Sequence, residues 1–157
     1  MPVQTAAGSQ LSIGTDTVSA PDPVVDSYTN VAEVVEIPEF GRVYEVVLHN
    51  PIDNRKTFKF KGSYNDGSFA IGIGRDVSDA GQAAMLATLD SDLTYNLRIQ
   101  LNDDPDNGSG SAPTTYYIPA KVMSFPTNIG TVNSIVSATV NIEVDGDITE
   151  VAPVQGV

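Results

Sequence analysis

Residues 136–144, VSATVNIEV, alternate without interruption. Val136, Ala138, Val140, Ile142 and Val144 fall on one face, and Ser137, Thr139, Asn141 and Glu143 on the other. A period of two, carried largely by β-branched residues, specifies a half-buried strand. A one-residue slip would turn every apolar side chain into water, so the register is firmly set. Thr115–Phe125 is strand-like too. Pro119 interrupts it and brings no N–H, so a bulge or an edge position is expected there. Between the two, PTNIGTVNS offers Pro126, Asn128, Gly130 and Asn133, residues suited to a hairpin connection. A long C-terminal hairpin follows, and the rest of the chain must cover its apolar face.

Further strands are expected over Val31–Ile37, Arg42–Leu48, Arg55–Lys61, Ser68–Gly74 and Leu93–Leu101. Asn65-Asp66-Gly67 is a strong turn signal. Gly72 and Gly74 suggest close backbone approach or bends. In the last of these strands Leu93, Tyr95, Leu97, Ile99 and Leu101 are expected inward, and Thr94, Asn96, Arg98 and Gln100 outward. One helix is expected, at about 79–90. Asp79 and Gln82 have capping-box spacing, and Gln82, Met85, Leu86 and Leu89 form a stripe at helical period. Gly81 weakens its first turn by about 1 kcal/mol relative to Ala. Residues 1–14 are small and polar and read as a mobile arm. Thr15–Asn30, with Pro21 and Pro23, reads as an extended connector, 102–114 as a solvated loop, and 147–157 as a short tail. The domain proper spans 15–146. The fold class is mainly β: an antiparallel sandwich or barrel of about seven strands with one flanking helix. Its edges must be closed, covered or paired with another chain.

Twenty acidic residues against eight basic ones give a net charge of −12. Such a surface repels polyanions, and phosphate binding draws on Lys and Arg. Cysteine is absent, which removes disulfides and thiolate metal sites. No apolar run reaches the length of a membrane span, and the N-terminus shows no signal-peptide pattern. His49, the single histidine, stands at a strand end, and no GxSxG elbow accompanies it. In NDDPDNGSGS, counting from Asp103, the third position is Pro105 and the twelfth Thr114, so a calcium loop lacks its ligands. GIGRDVS lacks the third glycine of a dinucleotide fingerprint. No catalytic, metal or cofactor residues are expected, and the chain does not read as an enzyme.

The segments AEVVEIPEFGRVYEVVLHN, NDG, SFAIGIGRDVSDAGQAAML, YYIPAKVMSFP and VSATVNIEVDGD together resemble the tail tube proteins of long, non-contractile-tailed phages. The resemblance runs from Val31 to Gly146. It implies a β-sandwich or small barrel with one flanking helix. It also implies hexameric rings stacked into a hollow tube, through which genome DNA leaves the capsid without specific binding. Implied partners are further copies of the chain, a tape-measure protein, and tail initiator and terminator proteins. The implied location is the virion tail, assembled in the host cytoplasm. Six copies of a −12 chain would carry −72 per ring, and a like-charged lining lets DNA slide. Two other readings compete. One is a carbohydrate- or protein-binding β-sandwich, which the absence of Trp disfavours. The other is an inner-tube protein of a contractile tail or secretion system, which shares the ring geometry.

Residues 55–61, RKTFKFK, hold four of the eight basic side chains. Thr57, Lys59 and Lys61 point one way along a strand, and Phe58 and Phe60 the other. In the resembling family the loop between these strands reaches the neighbouring ring. Arg55, Lys56, Phe58, Lys59, Phe60 and Lys61 are therefore expected at a ring-to-ring contact. Asp22, Asp26, Glu36 and Glu39 are candidate counter-charges. The bland reading is an edge strand whose two phenylalanines belong to the domain's own core. Glu33, Glu45, Asn141 and Glu143 are expected to line the channel.

Overall fold

A computed structural model of the chain describes residues 3–105 and 109–156. Positions 1–2 of the expected arm, 106–108 of the expected loop and 157 of the expected tail lie outside the described residues. The C-terminal hairpin is the spine. β8 (Thr115–Ser124) and β10 (Ser137–Val144) pair antiparallel, with Ile142 opposite Val122 and Val144 opposite Ala120. Ala138, Val140 and Ile142 are buried, while Thr139, Asn141 and Glu143 are exposed. Two residues between the strands, β9 (Thr127–Asn128), extend the pairing along β10. The register breaks between Asn141 and Ile142, opposite Ser124 and Val122, so the bulge falls at Met123 rather than at Pro119. Pro119 stands where β8 exchanges one neighbour for another. β11 (Thr149–Val151) pairs with Thr115–Tyr117, and β10 takes over from Ala120. A residue without an N–H fits that handover, and its carbonyl accepts the Asp145 N–H at 2.9 Å.

Around this spine one antiparallel sheet curls into a half-barrel. Its other strands are β1 (Gln10–Asp16), β2 (Thr29–Val31), β3 (Val34–Glu36), β6 (Ser68–Gly74) and β7 (Tyr95–Gln100). The order is β2-β1-β7-β8-β10-β6-β3. Leu11, Ile71, Ile73, Leu97, Ile118 and Val140 fill the concave side. A separate ribbon, β4 (Val43–His49) paired with β5 (Phe58–Asn65), leaves the body between β3 and β6.

The expected strand Val31–Ile37 is two strands. β2 pairs with β1 at one edge of the sheet and β3 pairs with β6 at the other. Only Ala32 and Glu33 separate them, so the chain steps across the mouth of the half-barrel there. Glu33 takes φ 61°, a left-handed conformation that turns the chain but that non-glycine residues rarely adopt. The helix α1 (Ala80–Ala87), extended by a 3-10 turn over Thr88–Asp90, covers this seam. Half of the expected capping box forms: the Asp79 carboxylate accepts the Gln82 N–H at 2.9 Å. The Gln82 side chain does not return to Asp79. Fully buried, its amide N–H₂ donates to the carbonyls of Ala32 (3.0 Å) and Gly74 (2.8 Å). Its carbonyl accepts from the Arg75 guanidinium and the Asp76 N–H, each at 3.0 Å. One side chain thus bridges the step between the two sheet edges and the end of β6. Met85 completes the buried face, whereas Leu86 is exposed, so the expected stripe is narrower.

Several boundaries differ from expectation. The arm boundary after residue 14 falls inside β1, an interior strand with Leu11 and Ile13 buried. The expected tail supplies β11 and a bridge between Val154 and Ala112. Leu93, expected inward, precedes β7 and is exposed. Asn96, expected outward, is buried, because the connector folds over the outer face of β7. There the Asn96 amide donates to the Ala20 carbonyl at 3.0 Å and the Asp26 carboxylate at 3.1 Å. The Arg98 guanidinium sits 4.4 Å above the Tyr28 ring. Within the loop, the buried Asp103 carboxylate accepts the Thr114 N–H at 2.7 Å and the Thr114 hydroxyl.

Candidate assembly surfaces

Two surfaces gather the residues singled out in the sequence. The first is the ribbon. Every residue of β4 is exposed, and every residue of β5 except the half-buried Gly62. Pairing sets His49 opposite Phe58 and Val47 opposite Phe60, with Leu48 opposite Lys59 and Val46 opposite Lys61. The expected alternation therefore holds within the strand, but its basic face also carries Val46, Leu48 and Tyr44. Lys61 Nζ lies 4.9 Å from the Tyr44 ring centroid, its stem covering apolar surface. Phe60 is 58% exposed and Phe58 37%, so neither belongs to the domain core. Arg55 and Lys56 precede β5 in the connection to β4, where the Lys56 N–H donates to the Asn54 side chain at 3.0 Å. Strand formation starts at Phe58 and runs to Asn65, later than expected.

A salt-bridge cluster anchors the ribbon to the body. The Arg42 guanidinium pairs with Asp66 at 3.2 Å and Asp147 at 3.0 Å and stacks 4.0 Å above the Tyr64 ring. The buried Asp66 carboxylate also accepts the Ile148 N–H at 3.2 Å, and the Tyr64 hydroxyl donates to Asp147 at 3.2 Å. In the sequence Asp66 reads only as part of a turn signal. Its contact with Arg42 spans 24 residues and that with Ile148 spans 82, distances no local pattern reports.

The second surface is the outer face of β10, β6 and β3. Asn141 and Glu143 stand on β10 opposite Ala70 and Ser68 of β6. A Cβ placed on Gly74 would meet the Glu33 Cβ at 3.6 Å, and one on Gly72 the Glu36 Cβ at 3.8 Å. Glu33, Glu36 and Glu143 thus share a face otherwise built of small side chains. The two glycines keep that face shallow beside the carboxylates. Lys121 is the register partner of Glu143, and its ammonium pairs with Asp145 at 3.5 Å. Glu45 does not join this face; it lies on the ribbon. In the sequence Glu36 reads only as a counter-charge, and its place here depends on a pairing with Gly72 that the sequence does not announce. Asp26 is already engaged inside its own domain. It accepts the Thr15 N–H at 2.7 Å, the Thr15 hydroxyl at 2.6 Å and the Ser27 N–H at 2.8 Å. His49, at the end of β4, faces the Phe58 ring across 6.4 Å. Among the described residues no group of three or more His, Asp or Glu side chains is placed to hold a metal ion.

Solved structures of phage-tail and injection-system components share this curled, mainly β fold. In particular, the chain matches the SPP1 tail tube with TM-score 0.67 at 13% identity, covering 99% of this chain and 81% of that one. It matches a chain of the anti-feeding prophage baseplate, solved with six-fold symmetry, with TM-score 0.67 at 15% identity over 97% and 98% of the two chains. It matches the tail of an empty gene transfer agent particle, of C6 symmetry, with TM-score 0.64 at 13% identity over 96% and 100%. At these identities the likeness is one of fold. No family model matches the sequence, and no curated protein does.

Proposed function

We propose that this chain is a structural tube subunit of a phage tail or phage-derived particle. Copies close into hexameric rings, the rings stack, and the channel conducts genome DNA without chemistry of its own. The observation that carries the reading is the ribbon: two strands exposed on both faces, joined to a half-barrel of tube fold. An isolated two-stranded ribbon is only marginally stable in water. One that displays Phe60, Val46, Val47 and Leu48 to solvent needs a partner surface. Stacking supplies one: Arg55, Lys56, Phe58, Lys59, Phe60 and Lys61 dock on the adjacent ring. Burying each phenylalanine contributes about 1.5–3 kcal/mol. Exposed ion pairs add about 0–1 kcal/mol each. The aromatics set the strength and the lysines the register.

Glu33, Asn141 and Glu143, joined by Glu36, line the channel, and Glu45 belongs with the ribbon. Small side chains beside carboxylates make a smooth, acidic wall that repels phosphate. A tape-measure protein and tail initiator and terminator proteins complete the assembly in the virion, which is built in the host cytoplasm. An inner tube of a contractile particle would use the same ring, and injection-system structures are among the fold's neighbours. Paired replacement of Lys59 and Lys61 by Glu tests the reading. The variant should fold normally, while tubes fail or become sharply salt-dependent under electron microscopy. Normal tubes would remove the ribbon from the ring-to-ring contact.

A further inference from the structure

Between Lys121 and Glu143 the chain carries no charged side chain, although charged residues make up 18% of the whole. Most of this run's exposed apolar side chains lie in the β9–β10 connection. Val132 is 97% exposed and Ile135 84%, with Ile129 and Met123 also open to solvent. The connection is an ordered turn. The Ser134 N–H donates to the Thr131 carbonyl at 3.0 Å, the two hydroxyls lie 3.0 Å apart, and the Val136 carbonyl accepts the Arg75 N–H at 2.9 Å. Gly130, at φ 76°, packs against Ser134, where a Cβ would come within 2.8 Å. The result is a preformed apolar knob.

The same molecule has an unfilled apolar hole. Val34, Ile37, Phe40, Ile99, Leu101 and Tyr116 line a groove of about 220 Å³ between β3 and the β7–β8 pair, with Glu36 its one carboxylate. Knob and groove are different patches of one chain. Contact between them across two copies is heterologous, and a heterologous contact closes rings or continues filaments. Charge selects the partner. Copies carrying −12 each repel one another, so they meet most readily through a charge-free element seated in a nearly charge-free groove. We propose that residues 129–136 of one copy dock in the groove of a second copy and form the subunit contact within the ring. This inference rests on the tube reading for its ring, but not for the contact itself.

The cysteine-free chain permits a direct test. Val132→Cys on the knob is combined with Val35→Cys on the groove rim, which is 80% exposed, and the concentrated protein is oxidised. The double variant should give a covalent ladder beyond the dimer, while each single variant stops at dimer. Val132→Asp with Ile135→Asp should leave the thermal midpoint unchanged and abolish rings. Absence of the ladder, together with normal tubes from the aspartate variant, would overturn the inference and leave the tube reading intact. A ladder from a protein that never forms tubes would keep the contact and discard the tube. Cross-linking only to a different co-expressed tail protein would overturn the second copy as occupant.

Discussion

Gln82 and Gly81 show how much rests on two adjacent side-chain choices. Replacing Gln82 by Leu keeps the volume but strands the Ala32 and Gly74 carbonyls and the Asp76 N–H. Each buried group left unpaired costs about 1–3 kcal/mol. Gln82→Leu should therefore lower the stability read from urea denaturation by about 3 kcal/mol or more. Gly81→Ala should fail as a stabilising change. Helix propensity alone favours it by about 1 kcal/mol, but the new Cβ would meet the Asn30 carbonyl oxygen at 2.1 Å. A net loss of about 1–3 kcal/mol is expected, of the size that overpacking exacts. Burial raises the Asp26 carboxyl, but hydrogen bonds from Thr15, Asn96 and Ser27 outweigh it and hold its pKa below the ordinary value. A depressed folded pKa stabilises above the unfolded value, and that contribution fades as pH falls through the folded one. Asp26→Asn should flatten the acid limb of the stability curve.

At the level of elements, alternation makes the C-terminal hairpin and β7 legible, because one buried face repeats every second residue, and the Asn-Asp-Gly turn signal places β6. Asp79 marked the helix start through a local bond. What stayed hidden was long-range or had no periodic signal. The split of 31–37 depends on Glu33 adopting a left-handed conformation, which its residue type does not suggest. β1 was hidden by polar neighbours, since Leu11 and Ile13 are only two apolar residues among Ser, Gly and Thr. Within the proposed site, the alternation of Phe58 and Phe60 against Lys59 and Lys61 was readable, whereas the acidic face required knowing which strand lies beside Gly72 and Gly74. β1 itself yields a sharp expectation. Deleting residues 2–9 should leave a folded domain. Deleting residues 2–14 removes an interior strand with Leu11 and Ile13, each worth about 1.5–3 kcal/mol of burial, from a fold whose total stability is on the order of 5–15 kcal/mol. Circular dichroism should show the shorter truncation folded and the longer one unfolded.

For the whole molecule, charge and shape define the account. The half-barrel carries an acidic face, a ribbon that mixes apolar and basic side chains, and an uncharged knob. If the proposed channel is lined by these carboxylates, wild-type tubes should retain no duplex DNA. Replacing Glu33, Glu36 and Glu143 by Lys should make tubes bind duplex with a steep salt dependence, since each phosphate contact releases a counterion. On the proposed reading these surfaces build a conduit. The decisive measurement is electron microscopy of the protein, at rising concentration and mixed with candidate tape-measure and initiator proteins. Hollow tubes with six-fold end views are the predicted result. A chain that stays monomeric in every one of those mixtures would contradict it.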